Sequence, residues 1–511
     1  MITVSDAWKD IQQRFLLPET HIEMDCGVTD DEAQSVAQAT GTDETAFSNA
    51  SGVVDGLTDV AKYATLEHNL WALDGTHTIL PTSGSYSNAG YVSNIESTGS
   101  VTVTFPTIRT NAISGITITW SEKYVEYAKT FTVIGKNGAT TVDEVTVTNN
   151  KSRVSIVYLP LSNYNSITVQ VHEWCLPSRR VRIENIVIGH VLKFGKGDLI
   201  AFTHEMDGDL LSGKIPKYSI EFTLDNSDGQ WDPNNPFGMA QYLSERQRIT
   251  VKYGLDVNGT IEWIKAGTFY LSEWYAPPNG LEARFVARDV FEFMMGVEMR
   301  DPKTTKISEL VASAIPEGFS AVYDSSLPDY TYNYAPTTSN DTAAEMVQKC
   351  ANAVGAVLRY DRDGILHVEP LNKTIAEYVY LADTTGIPLG LSYSYPEITL
   401  SKPLGEVSVD YTGETPYVLS MGISGERQTL LNEYIADATN AARVAKWVSD
   451  ILKNRKTISG EFRADPRLDL YDIVRVEDRY SRLLTVAITN IRYTFNGSFR
   501  GSYTGRILEE G

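Results

Sequence analysis

Cysteine is nearly missing from this chain. Only Cys26, Cys175 and Cys350 occur among 511 residues, scattered and without a CxxC pair. That excludes a disulfide framework and a zinc knuckle, and it fits a reducing compartment. Long apolar runs are also missing, and none approaches the ~20 residues a membrane helix needs. The first seventeen residues carry Asp6, Lys9, Asp10 and Arg14 among their apolar positions, so they do not read as a signal peptide. Positive charge is scarce: 44 Lys and Arg stand against 65 Asp and Glu, a net charge of −21. Broad binding to a phosphate backbone needs a basic footprint that this chain lacks, whereas an acidic surface favours solubility and repels its own kind. The expectation is a soluble chain made in a cytoplasm, with no sequence-specific hold on nucleic acid and no membrane-spanning segment.

Catalytic signatures are absent as well. The seven histidines (His21, His68, His77, His172, His190, His204, His367) form no HExxH, HxH or Cys/His cluster. No GxSxG elbow, Walker loop or GxGxxG after a strand occurs. Cys350 lies mid-helix among apolar neighbours, which suits a core thiol better than a nucleophile. The turn Asp225-Asn-Ser-Asp228-Gly229-Gln-Trp231-Asp232 has some likeness to a calcium loop, but its twelfth position is Pro236, where a bidentate glutamate is needed. It reads as a polar turn rather than a cation site. Carboxylate pairs abound without marking a cleft, and most are solvated faces. No catalytic residue, metal ligand or cofactor is assigned.

What is plentiful is β structure. The chain has 28 Tyr, 16 Phe and 8 Trp, and β-branched residues crowd alternating segments. Residues 1 to about 25 read as a short helix followed by an extended stretch over His21–Cys26. Gly27–Asp59 is acidic and rich in Ala, Ser and Thr, a connector or surface helix with little core. Between 60 and 190 the alternating runs 101–105, 116–120, 131–134, 145–147, 167–171 and 181–183 are separated by turn signals such as Lys136-Asn137-Gly138, the pattern of a β-sandwich. A second β region covers 191–300, with strands at 218–224, 249–253, 267–271 and 283–287. Helices are expected at 306–314, stopped by Pro316, at 341–355 with Asp341 or Thr342 as cap and Gly355 as stop, and at 437–454. A DG hairpin follows the second helix over 356–368. Strands return at 406–411, 457–463, 473–477, 484–490 and 502–508.

Aromatic residues are the best ligand lead in the 60–190 sandwich. Trp71, Tyr86, Tyr91, Tyr124, Tyr127 and Trp174 fall in or near its strands and loops, and loop-borne rings stack on sugars. Trp71, Tyr86 and Tyr91 are the candidate glycan contacts; Trp120 ends an alternating strand and reads as core.

Several of these segments resemble a known family. Ile215–Tyr253, with Phe222-Thr-Leu-Asp225-Asn226-Ser-Asp-Gly229 and Asp232-Pro-Asn-Asn-Pro236, resembles the first barrel of phage tail-tip and baseplate hub proteins, and Gly267–Ser272 with Phe285–Val290 resembles its closing strands. Helix 341–355 with its hairpin is similar to the small α/β unit such hubs place between barrels. Asn440-Ala-Ala-Arg443, Asp465-Pro-Arg-Leu468, Tyr471–Val476 and the turn Asn496-Gly497 are similar to that family's C-terminal part. Residues 60–190 separately resemble galactose-binding-like sandwiches through Trp71-Ala-Leu-Asp74-Gly75 and Pro177-Ser-Arg-Arg180-Val-Arg-Ile-Glu184-Asn-Ile186. These are mostly fold-closing positions.

The resemblance implies a mainly β fold with a small α/β part: two hub-type barrels flanking an α/β unit, plus an inserted jelly-roll-like sandwich. It divides the chain into 1–59 (helix, first hub strand and connector), 60–190 (sandwich insertion), 191–300 (barrel one), 301–388 (α/β unit) and 389–511 (barrel two with the long helix). It also implies a homotrimeric hub in the virion tail, assembled in the bacterial cytoplasm. That hub adapts a sixfold tail tube to a threefold spike or fibre, contacts tube and distal tail or baseplate proteins, and carries a sandwich for host glycans. Three copies at −21 each could line a channel that passes DNA without holding it. The competing readings are a glycoside hydrolase with an attached binding module, which lacks a motif and a scaffold of the usual kind, and a secreted adhesin, which lacks a signal peptide.

Overall fold

The computed structural model of the chain describes residues 2–12, 19–42, 49–54, 90–121, 125–235, 240, 243, 246–277, 280–299, 305–332, 341–372, 395–411, 415–480, 482–497 and 499–510. The fold is mainly β. The chain divides into two compact units, Cys26–Leu192 and the discontinuous pair Met1–Asp25 with Lys193–Gly511.

In the Cys26–Leu192 unit, alternation of apolar and polar residues builds two layers. One is a five-stranded antiparallel sheet in the order Gln38–Gly41, Gly99–Arg109, Tyr164–Trp174, Ala128–Asn137, Thr140–Val147. The other sets Ile113–Thr119 between Val154–Leu161 and the strand that begins at Asn185. Val101, Val103, Phe131, Val133, Val169 and Val171 from the first layer share one core with Ile116, Ile118, Val157, Leu159 and Ile186 from the second. Val154–Leu161 shows the pattern most plainly, burying every second side chain against the facing sheet. Trp120 fills the centre, edge-on to Phe131 and Trp174, with Nε1 donating to Ser155 Oγ at 2.8 Å. The segment after Gly27 departs from expectation. It is no coreless connector: Ala33, Ala39, Ala50 and Val53 are buried in this same core, and Gln38–Gly41 is a strand of the first sheet. Small alanines carried too weak an apolar signal to show this in the sequence.

The other unit is built on one long sheet. Its path runs Glu397–Leu400, Lys456–Phe462, Phe499–Glu510, Leu483–Phe495, Leu199–Asp207, Lys217–Asp225, Glu282–Arg288, Thr260–Tyr275 and Arg248–Val257, then to the strand that starts at Thr20. The two β regions expected to flank the mixed segment are therefore hydrogen-bonded to each other, Phe202 opposite Phe495 through Asp207 opposite Asn490. Between Arg248–Val257 and Thr260–Tyr275 the chain reverses at Asn258-Gly259, both at positive φ (55° and 86°), the backbone a tight two-residue hairpin demands.

The expected helices form. Ile307–Ala314 buries Ile307, Leu310, Val311 and Ala314. Ala343–Val354 opens on a Thr342/Glu345 capping box and closes on Gly355 in the left-handed conformation. Ala438–Leu452 is capped by Asp437 and buries Ala441, Val444, Ala445, Val448 and Ile451. The DG hairpin Val357–Tyr360/Ile365–Glu369 gains a third, parallel strand, Ser320–Tyr323. A further sheet places Leu404–Asp410 between Tyr417–Ser420 and, in parallel, Glu426–Leu431. Among the described residues no helix is long and apolar enough to cross a membrane.

Candidate functional site

The segments that resemble hub proteins converge on buried polar nodes that tie elements together. The first centres on Arg362, at the tip of the DG hairpin. Its guanidinium donates to the carbonyls of Lys265 (2.9 Å), Pro466 (2.8 Å) and Leu468 (2.8 Å), and lies 3.5 Å from the Asp469 carboxylate. One planar fork thus fastens the hairpin to strand Thr260–Tyr275 and to the Asp465–Leu468 turn. That turn is itself locked: Arg467 grips the Asp465 carboxylate at 2.7–3.1 Å, and Tyr493 Oη donates to the Asp465 carbonyl at 2.7 Å. The N-terminal segment joins the same place, Gln12 donating to the Ala464 carbonyl and Ile2 N–H to that of Arg467. Its helix Asp6–Gln12 buries Trp8 and Ile11 against Leu255 and Ile264.

The second node surrounds helix Ala343–Val354. Lys349 pairs with Asp341 (2.7 Å) and Glu433 (2.8 Å), and Tyr434 Oη donates to Asp341 at 3.1 Å. Asn432 donates to Asn352 Oδ1 and to the Lys349 carbonyl, and Asn352 donates to the Leu211 carbonyl, each at 2.8 Å. The helix is thereby held to residues 211 and 432–434 by bonds shielded from water, where an unmade bond is costly. Cys350 sits on its buried face, and burial pushes the thiol well above its ordinary range, the opposite of a reactive cysteine.

Two further groups have titrations displaced by burial. Asp289 accepts from the backbone N–H groups of Tyr218 (2.7 Å) and Phe291 (2.9 Å), and burial raises its carboxyl to about 7. His204 lies beneath Tyr253, Phe269 and Tyr493, with Nδ1 2.8 Å from Tyr253 Oη, and burial lowers its imidazole to about 3. Both sit in closed packing and act as struts.

In the Cys26–Leu192 unit the corresponding node is Glu126. Its carboxylate accepts from Trp174 Nε1 (2.8 Å) and Arg182 (3.1 Å) and lies 3.6 Å from Arg179. Arg182 is completely buried. The run Pro177–Ile186 that resembles galactose-binding sandwiches therefore closes the fold here.

Of the candidate glycan contacts, Tyr91 is fully buried, in strand Tyr91–Glu96, with its ring against Gly41. A ring at 0% exposure presents no face to a sugar, so the expected contact does not fit this position. Tyr91, Val92 and Ser93 are buried in succession at the start of that strand. Trp71 and Tyr86 lie outside the described residues, as does Tyr124. Trp120 and Trp174 are core, and Tyr127 packs against it. The acidic turn at 225–235 is held by its own Asx bonds, Asp225 to Ser227 N–H, Asp228 to Gln230 N–H and Asp232 to Asn234 N–H, with Asn226 accepting from Trp231 N–H. Among the described residues no three His, Cys, Asp or Glu side chains group to hold a metal ion. Arg362 and Glu126 do not stand out in the sequence, because their partners lie about 50 to 100 residues away along the chain.

No protein-family model matches the sequence, and no curated protein is similar to it. Among solved structures the chain is similar to the 43 kDa tail protein of prophage MuSo2 from Shewanella oneidensis, at 14% identity and TM-score 0.42, over 62% of this chain and 94% of that one. It is similar to the tail protein from Neisseria meningitidis MC58, at 13% identity and TM-score 0.44, over 62% and 94%. A smaller part, 32% of this chain, is similar to 99% of the family 32 carbohydrate-binding module of C. perfringens NanJ, solved with galactose, at 15% identity and TM-score 0.22. Likeness at these levels carries no site residue across.

Proposed function

We propose that this chain is a structural component of a bacteriophage tail or phage-derived particle: a baseplate or tail-tip hub that trimerises and adapts a sixfold tube to a threefold spike or fibre. The supporting observation is the direct pairing of Phe202–Asp207 with Asn490–Phe495, braced by the Arg362 fork. Two β regions locked into one rigid body are what three identical copies need to offer six neighbours to a tube. Of the motifs behind the resemblance, Asp465-Pro-Arg-Leu468 is spent on this bracing, which suits an adaptor rather than a catalyst.

On this reading the Cys26–Leu192 unit is the inserted sandwich and the rest of the chain divides near 300 and 388; the protein works in the virion tail after assembly in the host cytoplasm, and meets tube, distal tail or baseplate proteins and a spike or fibre. Its sandwich binds a host glycan through Trp71 and Tyr86, and its acids face a DNA channel. Native mass spectrometry tests the core of the proposal, with a trimer expected alone or with tube protein. A persistent monomer that hydrolyses glycan or peptidoglycan would instead support an enzyme. For the sandwich, Trp71→Ala and Tyr86→Ala should each abolish signal on a glycan array, and unchanged signal would remove that role.

A further inference from the structure

One cavity in the Lys193–Gly511 unit has chemistry that the bracing nodes do not use. It measures about 190 Å³, far more than the roughly 10–15 Å³ a single water requires, and lies where the 208–214 turn, the end of helix Ala438–Leu452 and strand Phe499–Glu510 meet. Arg506 is half-buried in its wall. The guanidinium makes one hydrogen bond, to the Asn454 carbonyl at 3.2 Å, and no ion pair among the described residues. The acid of the same wall, Asp209, turns both oxygens to its own loop, accepting from Leu211 N–H (3.3 Å) and Gly213 N–H (2.9 Å). Burial accordingly holds Arg506 below its ordinary range, with Asp209 offsetting only part of the cost.

We propose that this cavity is a binding site for a carboxylate, seated on the free edge of the Arg506 fork. A planar guanidinium matches a carboxylate with two parallel N–H bonds, and Lys214, half-exposed and paired with Asp207, stands in the same wall as a second cation. Thr457 and Thr489 complete the wall, while Ile451 and Leu210 supply apolar surface for the methylenes of a glutamate-like chain. The apolar wall at Leu210 and Ile451 gives the methylenes of a dicarboxylate a contact that inorganic phosphate cannot make. The carboxylate comes either from a small free acid or from an acidic stretch of a neighbouring polypeptide.

Calorimetric titration of the full chain with succinate, with a tetraglutamate peptide and with inorganic phosphate tests this. Saturable millimolar binding of succinate and peptide supports the site with a free acid as sufficient ligand; binding of the peptide alone supports it with a polypeptide source. Arg506→Gln should weaken either by at least about tenfold, the factor expected for a lost charge-assisted bond, and Arg506→Lys should recover only part of it. Thr489→Asp, which keeps the arginine and supplies an internal carboxylate, should block binding in a folded chain. The proposal is overturned if phosphate binds as well as succinate, if neither carboxylate binds by tens of millimolar, or if the variants bind like the parent.

Discussion

Arg362→Ala puts the bracing argument at risk most directly. The substitution leaves three buried carbonyls, those of Lys265, Pro466 and Leu468, without their donor, and strips Asp469 of a cation 3.5 Å away. Hydrogen bonds to a charged group contribute about 1.5–3 kcal/mol each, but the three share one fork and will not add in full. Removing one member of a buried pair costs about 3–5 kcal/mol, so a loss of about 4–6 kcal/mol is expected. Urea unfolding followed by near-ultraviolet circular dichroism reads this as a lower midpoint with a similar slope, and Arg362→Lys, which keeps the charge but lacks the planar fork that spans three carbonyls, should recover little. A loss under about 1 kcal/mol would put Arg362 in the class of exposed ion pairs and refute its role as the fastener of three elements.

Other outcomes follow from the same packing. Asp289 has a folded pKa of about 7, above its unfolded value, so its protonated form favours the native state and its contribution to stability is lost as pH rises from about 4 through 7. Asp289→Asn should flatten that part of the stability profile relative to the parent, and parallel profiles would refute the assignment. His204, lowered to about 3, works in the opposite sense: its neutral form is the native one, and stability is lost as pH falls from about 6.5 toward 3. His204→Phe should soften that acid limb in urea midpoints, and an unchanged limb would count against it. Trp120→Ala empties the sandwich centre and should cost about 3–5 kcal/mol, read as proteolysis within residues 26–192 before the rest is cut; equal cleavage rates would contradict it. Gly355→Ala forces a Cβ into φ +72° and within 3.3 Å of Trp447, and a cost of at least about 1 kcal/mol is expected; a neutral result would refute the close approach.

Local rules reached far in this chain. Thr342, Glu345 and Gly355 announced the ends of one helix, and Asp437 the start of another, because caps act on their own backbone. Asn496-Gly497 marked the turn between Leu483–Phe495 and Phe499–Glu510 for the same reason. Alternation identified Val101, Val103 and Trp120 as inward. Alternation gives no guide at Tyr91, where Tyr91, Val92 and Ser93 are buried in succession, and the ring chemistry that suits a sugar is the same on either side of a sheet. The Ala33–Val53 stretch escaped because alanine buries too little area to advertise a core.

Periods of two and 3.6 residues, cap chemistry and turn residues settle strand, helix and hairpin from neighbours a few positions apart, and the sequence alone determined those. Pairing across hundreds of residues was decided only in three dimensions. The junction of Phe202–Asp207 with Asn490–Phe495, the parallel strands at 320–323 and 426–431, and the convergence of Lys265, Arg362 and Pro466 depend on which edges and donors remain free once local structure has formed. No periodicity records that choice. It is made by burying backbone polar groups only where a distant partner satisfies them.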